Sequence, residues 1–169
     1  PGGGEVVVGN IPYYLTGALL PRLLQARPLP RRLSLVVQRE VAERWCGIGG
    51  WSLATVAAQT FSEPRIELEL PPEAFAPPPR VHSALCVLET RRAPAVDVDD
   101  LDRFFRFVED VFQFRRKQLG AVLVRVRGGA RGGADAELRA LGIEPERRAE
   151  TLRLPEWEAL YRKVAAEVR

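Results

Sequence analysis

An α/β sheet unit followed by a small all-helical unit is the fold this sequence predicts, and three observations carry it. Short β-branched or alternating apolar runs recur at Val6 to Val8, Leu33 to Val37, Arg65 to Leu70 and Ala84 to Thr90, each the length of a strand. Segments with helical spacing of Leu, Val and Ala lie between them. Beyond the charged, Pro-containing stretch Arg91 to Val96 only helical periodicity remains, which divides the chain into residues 1–92 and 93–169.

The first run, Val6-Val7-Val8-Gly9, reads as a buried strand that ends abruptly in Asn10-Ile11-Pro12-Tyr13-Tyr14. Ligands of open α/β sheets sit at the carboxyl ends of strands, so these residues are the first candidates for chemistry. The Asn10 side-chain oxygen and the Ile11 carbonyl, held by Pro12, can accept both N–H bonds of an exocyclic amino group such as adenine N6, and Tyr13 can stack on the base. The plainer reading is a strand end and turn, with Pro12 fixing the backbone and Tyr13 covering the core.

Thr16 is placed to cap a helix from Gly17 to about Arg27, with Leu19, Leu20, Leu23 and Leu24 on one face and a late start or kink at Pro21. Leu33 to Val37 is a second buried strand, then a helix covers Arg39 to Trp45. A Gly-rich turn at Gly47 to Gly50 precedes a helix over Leu53 to Thr60. Arg65 to Leu70 sets Ile66, Leu68 and Leu70 on one strand face, and the Pro-rich segment before Ala84 is too irregular for a tight turn, so it is expected to be a structured binding loop. In the second unit Asp97 or Asp99 is expected to cap a helix bearing Phe104, Phe105, Val108 and Phe112. A following helix carries Leu119, Val122 and Leu123. Arg127 to Gly133 reads as a flexible connector, followed by a helix stopped at Gly142 and a last one opening at Pro155.

Charge is informative in its distribution rather than its sum. The net charge is only +3, but Arg115, Arg116, Lys117, Arg125, Arg127 and Arg131 occur with no acid between Gln113 and Arg131. That gives either a positive face for nucleic-acid phosphates or a solvated helix face with an Arg-Gly linker. No apolar run approaches the ~20 residues a bilayer span needs. Cys46 and Cys86, far apart in sequence and in no paired motif, point to a reduced, cytoplasmic setting. One histidine, His82, does not make a metal site with them, and no Ser-His-Asp arrangement favours hydrolysis. Cys86 and His82 lie four apart on a strand, on one face but beyond hydrogen-bond reach.

Five ordered segments, Asn10 to Tyr13, Gln38 to Arg44, Phe75 to Ala84, Phe114 to Leu119 and Arg148 to Leu152, together resemble the ribosomal RNA adenine N6,N6-dimethyltransferases of the small ribosomal subunit. The resemblance runs from about Val6 to Leu160. It implies the second half of a Rossmann-like class I methyltransferase sheet, on the target-base side, plus a small helical RNA-contacting domain. It implies S-adenosylmethionine as cofactor, with no metal, and Asn10, Ile11, Pro12 and Tyr13 as catalytic residues. Asn10 also faces the cofactor, Phe75 stacks on the base opposite Tyr13, and Arg115, Arg116 and Lys117 hold RNA. The implied partners are ribosomal RNA and the immature small subunit, met by a cytoplasmic monomer with no membrane. The family's Tyr-Gly pair is replaced near Trp51-Ser52, and Arg153 stands where relatives place Ser or Thr.

The chain opens on Pro1, contains no Met, and lacks the strand, Gly-rich turn and acidic residue with which the family holds its cofactor. Gly2 to Gly4 precede a strand rather than follow one, so they do not substitute. The expectation is a fragment inactive by itself. Alternative readings are a non-enzymatic RNA-binding assembly factor, a macrolide-resistance type of large-subunit RNA methyltransferase, and a DNA adenine methyltransferase.

Overall fold

A computed structural model describes residues 5–25 and 29–166, with the side chains of Tyr13, Gly17, Ala18, Pro21, Gln25 and Ala166 outside the description. By its contacts the chain forms two compact units, Pro1–Gly50 with Ala54–Ala95, and Trp51–Leu53 with Val96–Arg169.

The first unit is a four-stranded mixed sheet with helices. Strand β1 (Val6–Asn10) leads through a 3-10 turn (Tyr13–Leu15) into α1 (Thr16–Gln25), then come β2 (Arg32–Gln38), α2 (Arg39–Trp45), α3 (Leu53–Phe61), β3 (Ser62–Leu70) and β4 (Ser83–Thr90). The order is β1-β2-β4-β3, with β1 parallel to β2 and the other pairs antiparallel. Leu33, Leu35 and Val37 are fully buried and oppose Leu88, Cys86 and Ala84, all equally buried, so this face is the core.

Three expectations for this unit are corrected. Val6 to Val8 is not a buried strand: β1 is an edge, paired only with β2 among the described residues, and Val8 is 76% exposed. An apolar run states what a strand tolerates, and burial depends on what covers it. Helix α1 starts at Thr16 without waiting for Pro21, on a turn closed by Leu15 N–H donating to the Pro12 carbonyl at 2.9 Å. The expected extension to Arg27 lies outside the described residues. On β3 the alternation is broken by a bulge between Ile66 and Leu68. Ile66 opposes Cys86 while Leu68 opposes Leu85, so these side chains point to opposite faces, and Leu68 is exposed.

The second unit is built from α4 (Leu101–Phe112), α5 (Leu119–Arg127), α6 (Arg131–Ala140) and α7 (Leu154–Ala166). Its core is aromatic: Phe104 meets Tyr161 edge-on at 5.5 Å and Phe112 lies 5.2 Å from Trp157. The cap of α4 is Asp100, whose Oδ1 accepts from Arg103 N–H at 2.9 Å, rather than Asp97 or Asp99. Those two are engaged elsewhere, Asp97 with Arg162 and Asp99 with the Tyr161 hydroxyl.

The Arg127 to Gly133 connector is also shorter than expected. Only Gly128 to Ala130 separate α5 from α6, and Gly128 and Gly129 take positive φ there. Arg131 already belongs to α6, tied to Asp135 one turn on at 2.6 Å. Helix α6 stops just before Gly142, which has φ +72°. Helix α7 opens one residue before Pro155. Although Arg153 offers no side-chain cap, Glu156 Oε2 reaches back to accept from Arg153 N–H at 2.8 Å. This is the return half of a capping box, so the first turn is capped after all.

Candidate functional site

At its carboxyl end β1 keeps parallel registry with β2 for one residue beyond the strand, where Ile11 N–H donates to the Val36 carbonyl at 3.0 Å. That bond fixes the direction in which Asn10, Ile11 and Pro12 leave the sheet. Gly9 leaves room just before them: a Cβ there would lie 3.1 Å from the end of the Ile11 side chain, which would have to shift slightly. The facing wall is the Pro-rich loop between β3 and β4. It is irregular, as expected, with a 3-10 turn at Pro72–Ala74. At its far end the His82 carbonyl accepts from Arg39 N–H at 3.0 Å, the first residue of α2.

Between these walls lies an open cleft of about 280 Å³ lined by Asn10, Ile11, Pro12, Phe75, Pro77 and Pro79. It falls near the lower end of the ~300–1,000 Å³ typical of small-ligand sites. Its chemistry is mixed: proline rings and the half-buried Phe75 offer flat apolar contact, while Asn10 contributes an exposed carboxamide. Among the described residues the Asn10 side chain has no hydrogen-bond partner, and no backbone N–H reaches the Ile11 carbonyl. Two acceptors are thus unspent at the end of one strand. The Tyr13 side chain, expected to stack, lies outside the described residues. Tyr14 does not pack: it is 85% exposed.

In the second unit the basic residues are sorted by their surroundings. Arg115, Arg116 and Lys117 are exposed, with no ion pair among the described residues, and they lie on the turn joining α4 to α5 rather than on a helix face. The turn is closed by Lys117 N–H donating to the Phe114 carbonyl at 2.7 Å. Arg127 and Arg131 are different, paired with Glu137 at 2.5 Å and Asp135 at 2.6 Å. The window from Gln113 to Arg131 contains no acid, but α6 brings these two against it.

Sequence reasoning missed one member of the basic surface. An isolated bridge pairs Gln118 with Arg148, and Leu119 N–H donates to the Arg147 carbonyl at 2.8 Å. Exposed Arg148 therefore sits beside the Arg115 to Lys117 turn, and Arg125 lies over the Phe114 ring at 5.6 Å. The signal was the Arg148 to Leu152 segment itself, whose Ala149 and Leu152 are buried. Arg147 holds this segment in shape by pairing with Glu156 at 2.5 Å and donating to the Thr151 carbonyl at 2.7 Å. Burial works to raise the Glu156 carboxyl, but the Arg147 guanidinium and the Arg153 N–H outweigh it and hold it below the ordinary range.

Among the described residues no group of His, Cys, Asp and Glu is placed to hold a metal ion, and no helix is long and apolar enough to cross a membrane. His82 is exposed at the end of the Pro-rich loop.

The pattern of the ribosomal RNA adenine dimethylase family matches residues 5–165. A ribosomal RNA small subunit methyltransferase A from Pelotomaculum thermopropionicum is 42% identical over 91% of this chain and 54% of its own length. One of the same name from Anaeromyxobacter dehalogenans is 41% identical over 95% of the chain and 57% of its own length. The chain thus spans between half and two thirds of the curated relatives it matches. Among solved structures, the 23S rRNA methyltransferase ErmE superposes with a TM-score of 0.73 at 28% identity, over 98% of this chain and 67% of that one. A dimethyladenosine transferase from Plasmodium falciparum gives the same TM-score at 21% identity, over 95% of this chain and 68% of that one, a likeness of fold. The α/β sheet is accordingly of the Rossmann-like methyltransferase kind. With the family pattern running from residue 5 to residue 165, the chain belongs to the ribosomal RNA adenine dimethylase family.

Proposed function

We propose that this chain is the base-binding and RNA-facing part of an S-adenosylmethionine-dependent enzyme that dimethylates adenosine N6 in small-subunit ribosomal RNA. The observation that carries the reading is the cleft in which the Asn10 carboxamide and Ile11 share one wall and Phe75 with two prolines forms the other. Adenine N6 is a poor nucleophile because its lone pair is delocalised into the ring. Accepting one N6–H at the Asn10 oxygen and the other at the Ile11 carbonyl favours a more tetrahedral nitrogen and aims its lone pair out of the ring plane. Pro12 keeps that carbonyl in place, and Tyr13 and Phe75 sandwich a base turned out of its stack.

Of the residues present, Asn10 fits the cofactor side, being unpartnered at the carboxyl end of a parallel strand. S-adenosylmethionine, when bound, supplies the methyl group. Arg115, Arg116 and Lys117, with Arg148 beside them, hold RNA phosphates. The enzyme acts as a cytoplasmic monomer on the immature small subunit.

The test is Asn10→Ala in the full-length protein. Methyl transfer is expected to fall at least about tenfold, or roughly 1.4 kcal/mol of transition-state stabilisation, with RNA affinity nearly unchanged. An equal loss of RNA binding makes Asn10 structural and overturns its role. The likeness to ErmE supports a second substrate, large-subunit RNA. Assays on immature 30S and 50S particles separate the two.

A further inference from the structure

One cation beside the basic turn of the helical unit is held in place by an aromatic ring. Arg125 lies on α5, and its guanidinium carbon sits over the Phe114 ring, 5.6 Å from the ring centre. Phe114 is half-buried and opens the α4–α5 turn: its N–H donates to the Val111 carbonyl at 3.1 Å, and its carbonyl accepts from Lys117 N–H at 2.7 Å. Arg125 is exposed and makes no ion pair among the described residues, unlike Arg127 and Arg131, which are matched by acids of α6. Gln118, the residue just before α5, and Arg125 are spaced i and i+7, about two turns, so they share one side of the helix. Gln118 is also the residue bridged to Arg148.

We infer that Arg125, backed by Phe114, is a stacking platform for an unpaired nucleobase of single-stranded RNA, whose flanking phosphates lie on Arg115, Arg116, Lys117 and Arg148. The inference rests on the reading of this surface as RNA-facing and adds to it a site for a base. A guanidinium is planar, delocalised and weakly hydrated, so it stacks on a nucleobase where a lysine ammonium does not. A long side chain ordinarily loses rotamer freedom in doing so. Here the ring already restricts Arg125 on one side, and because the residue is exposed its other side is open to a ligand.

Phosphates need only charge, which the neighbouring turn supplies. A flat cation layered on an aromatic ring suits a flat ligand instead, and every base offers a π-face. None of these residues lines the Asn10 cleft, so the base held here is a second one and not the adenine to be methylated.

The test measures, by fluorescence anisotropy over a salt series, binding of the purified chain to an oligoadenylate of about eight nucleotides and to an abasic ribose-phosphate oligomer of equal length. Both are also measured with Phe75→Ala, which weakens the Asn10 cleft as a site for adenine. In either background the oligoadenylate is expected to bind at least about fivefold more tightly, with the same salt slope. Arg125→Lys keeps the charge but not the plane, and is expected to remove most of that preference while leaving the slope unchanged. In the unchanged chain the Arg125 Hε resonance should move upfield with the oligoadenylate, through the ring current of the stacked base, and stay in place with the abasic oligomer; this reading needs no variant. Equal affinity for the two oligomers, a preference that Arg125→Lys retains, or a preference lost in Phe75→Ala alone overturns the platform and leaves the phosphate contacts standing. Failure of both oligomers to bind overturns the RNA-facing reading along with it.

Discussion

Arg153 lies over the Trp51 ring, 5.3 Å from its centroid, and Trp51 N–H donates to the Glu150 carbonyl at 2.8 Å. The fold thus places two residues about a hundred positions apart in sequence in contact. A cation over an indole is worth about 0.5–1 kcal/mol at an exposed site. A double-mutant cycle with Trp51→Leu and Arg153→Ser, read by urea unfolding, is expected to return a coupling of that size. Additive losses reject the pairing. Glu156 gives a second residue-scale expectation. Its folded pKa lies below the ordinary 4.5, so its stabilisation is in place above that value and is lost as pH falls through the lower folded pKa. Glu156→Gln, which keeps an acceptor for Arg153 N–H but does not titrate, should lower stability at pH 7, where the carboxylate's contribution is in full, and flatten the acid limb of the unfolding curve below about pH 4.5. An unaltered acid limb removes the carboxylate from that role.

Among elements, the α4–α5 turn states most clearly what local pattern can and cannot say. Helices α4 and α5 were legible from the spacing of Phe104, Val108, Leu119 and Leu123, all buried. The residues between them read as part of a basic helix and are instead a turn. This exposes Arg115, Arg116 and Lys117 together, and the Gln118 to Arg148 bridge adds a fourth cation from a distant segment. Replacing Arg115, Arg116 and Lys117 with Gln is expected to weaken ribosomal RNA binding. It should also reduce the slope of log affinity against log salt by roughly 0.7 to 0.9 per lost phosphate contact. Helix content by circular dichroism should not change, because these side chains are exposed. A salt titration with an unchanged slope makes the turn merely solvated.

At the scale of the whole molecule, the edge strand dominates. β1 carries the candidate catalytic residues yet pairs only with β2 among the described residues, leaving Val6 and Val8 exposed beside it. Apart from Asn10, the candidate site has no residue assigned to the cofactor, and Asn10 alone supplies few contacts for a ligand of that size. Calorimetry of this chain with S-adenosylmethionine is therefore expected to show no micromolar binding. Micromolar heat of binding means that the residues present hold the cofactor without a Gly-rich turn.

The sequence by itself determined the elements whose cause is local. Periodicity placed β2, α2, α3 and β4 nearly to the residue, and showed the existence and core face of α4 and α5, because burying one face of a helix or strand requires apolar side chains at fixed spacing. The Asn10 to Tyr13 segment was legible as a candidate site for the same reason, an abrupt polar and rigid end to an apolar run. Tertiary structure alone decided what depends on partners distant in the chain. It left β1 at an edge, put the bulge into β3, set Phe75 across a cleft from Asn10, and neutralised Arg127 and Arg131 with acids of the next helix. A hydrophobic pattern reports which face of an element seeks cover, but register and packing between segments choose what covers it, and those pairings leave no local trace.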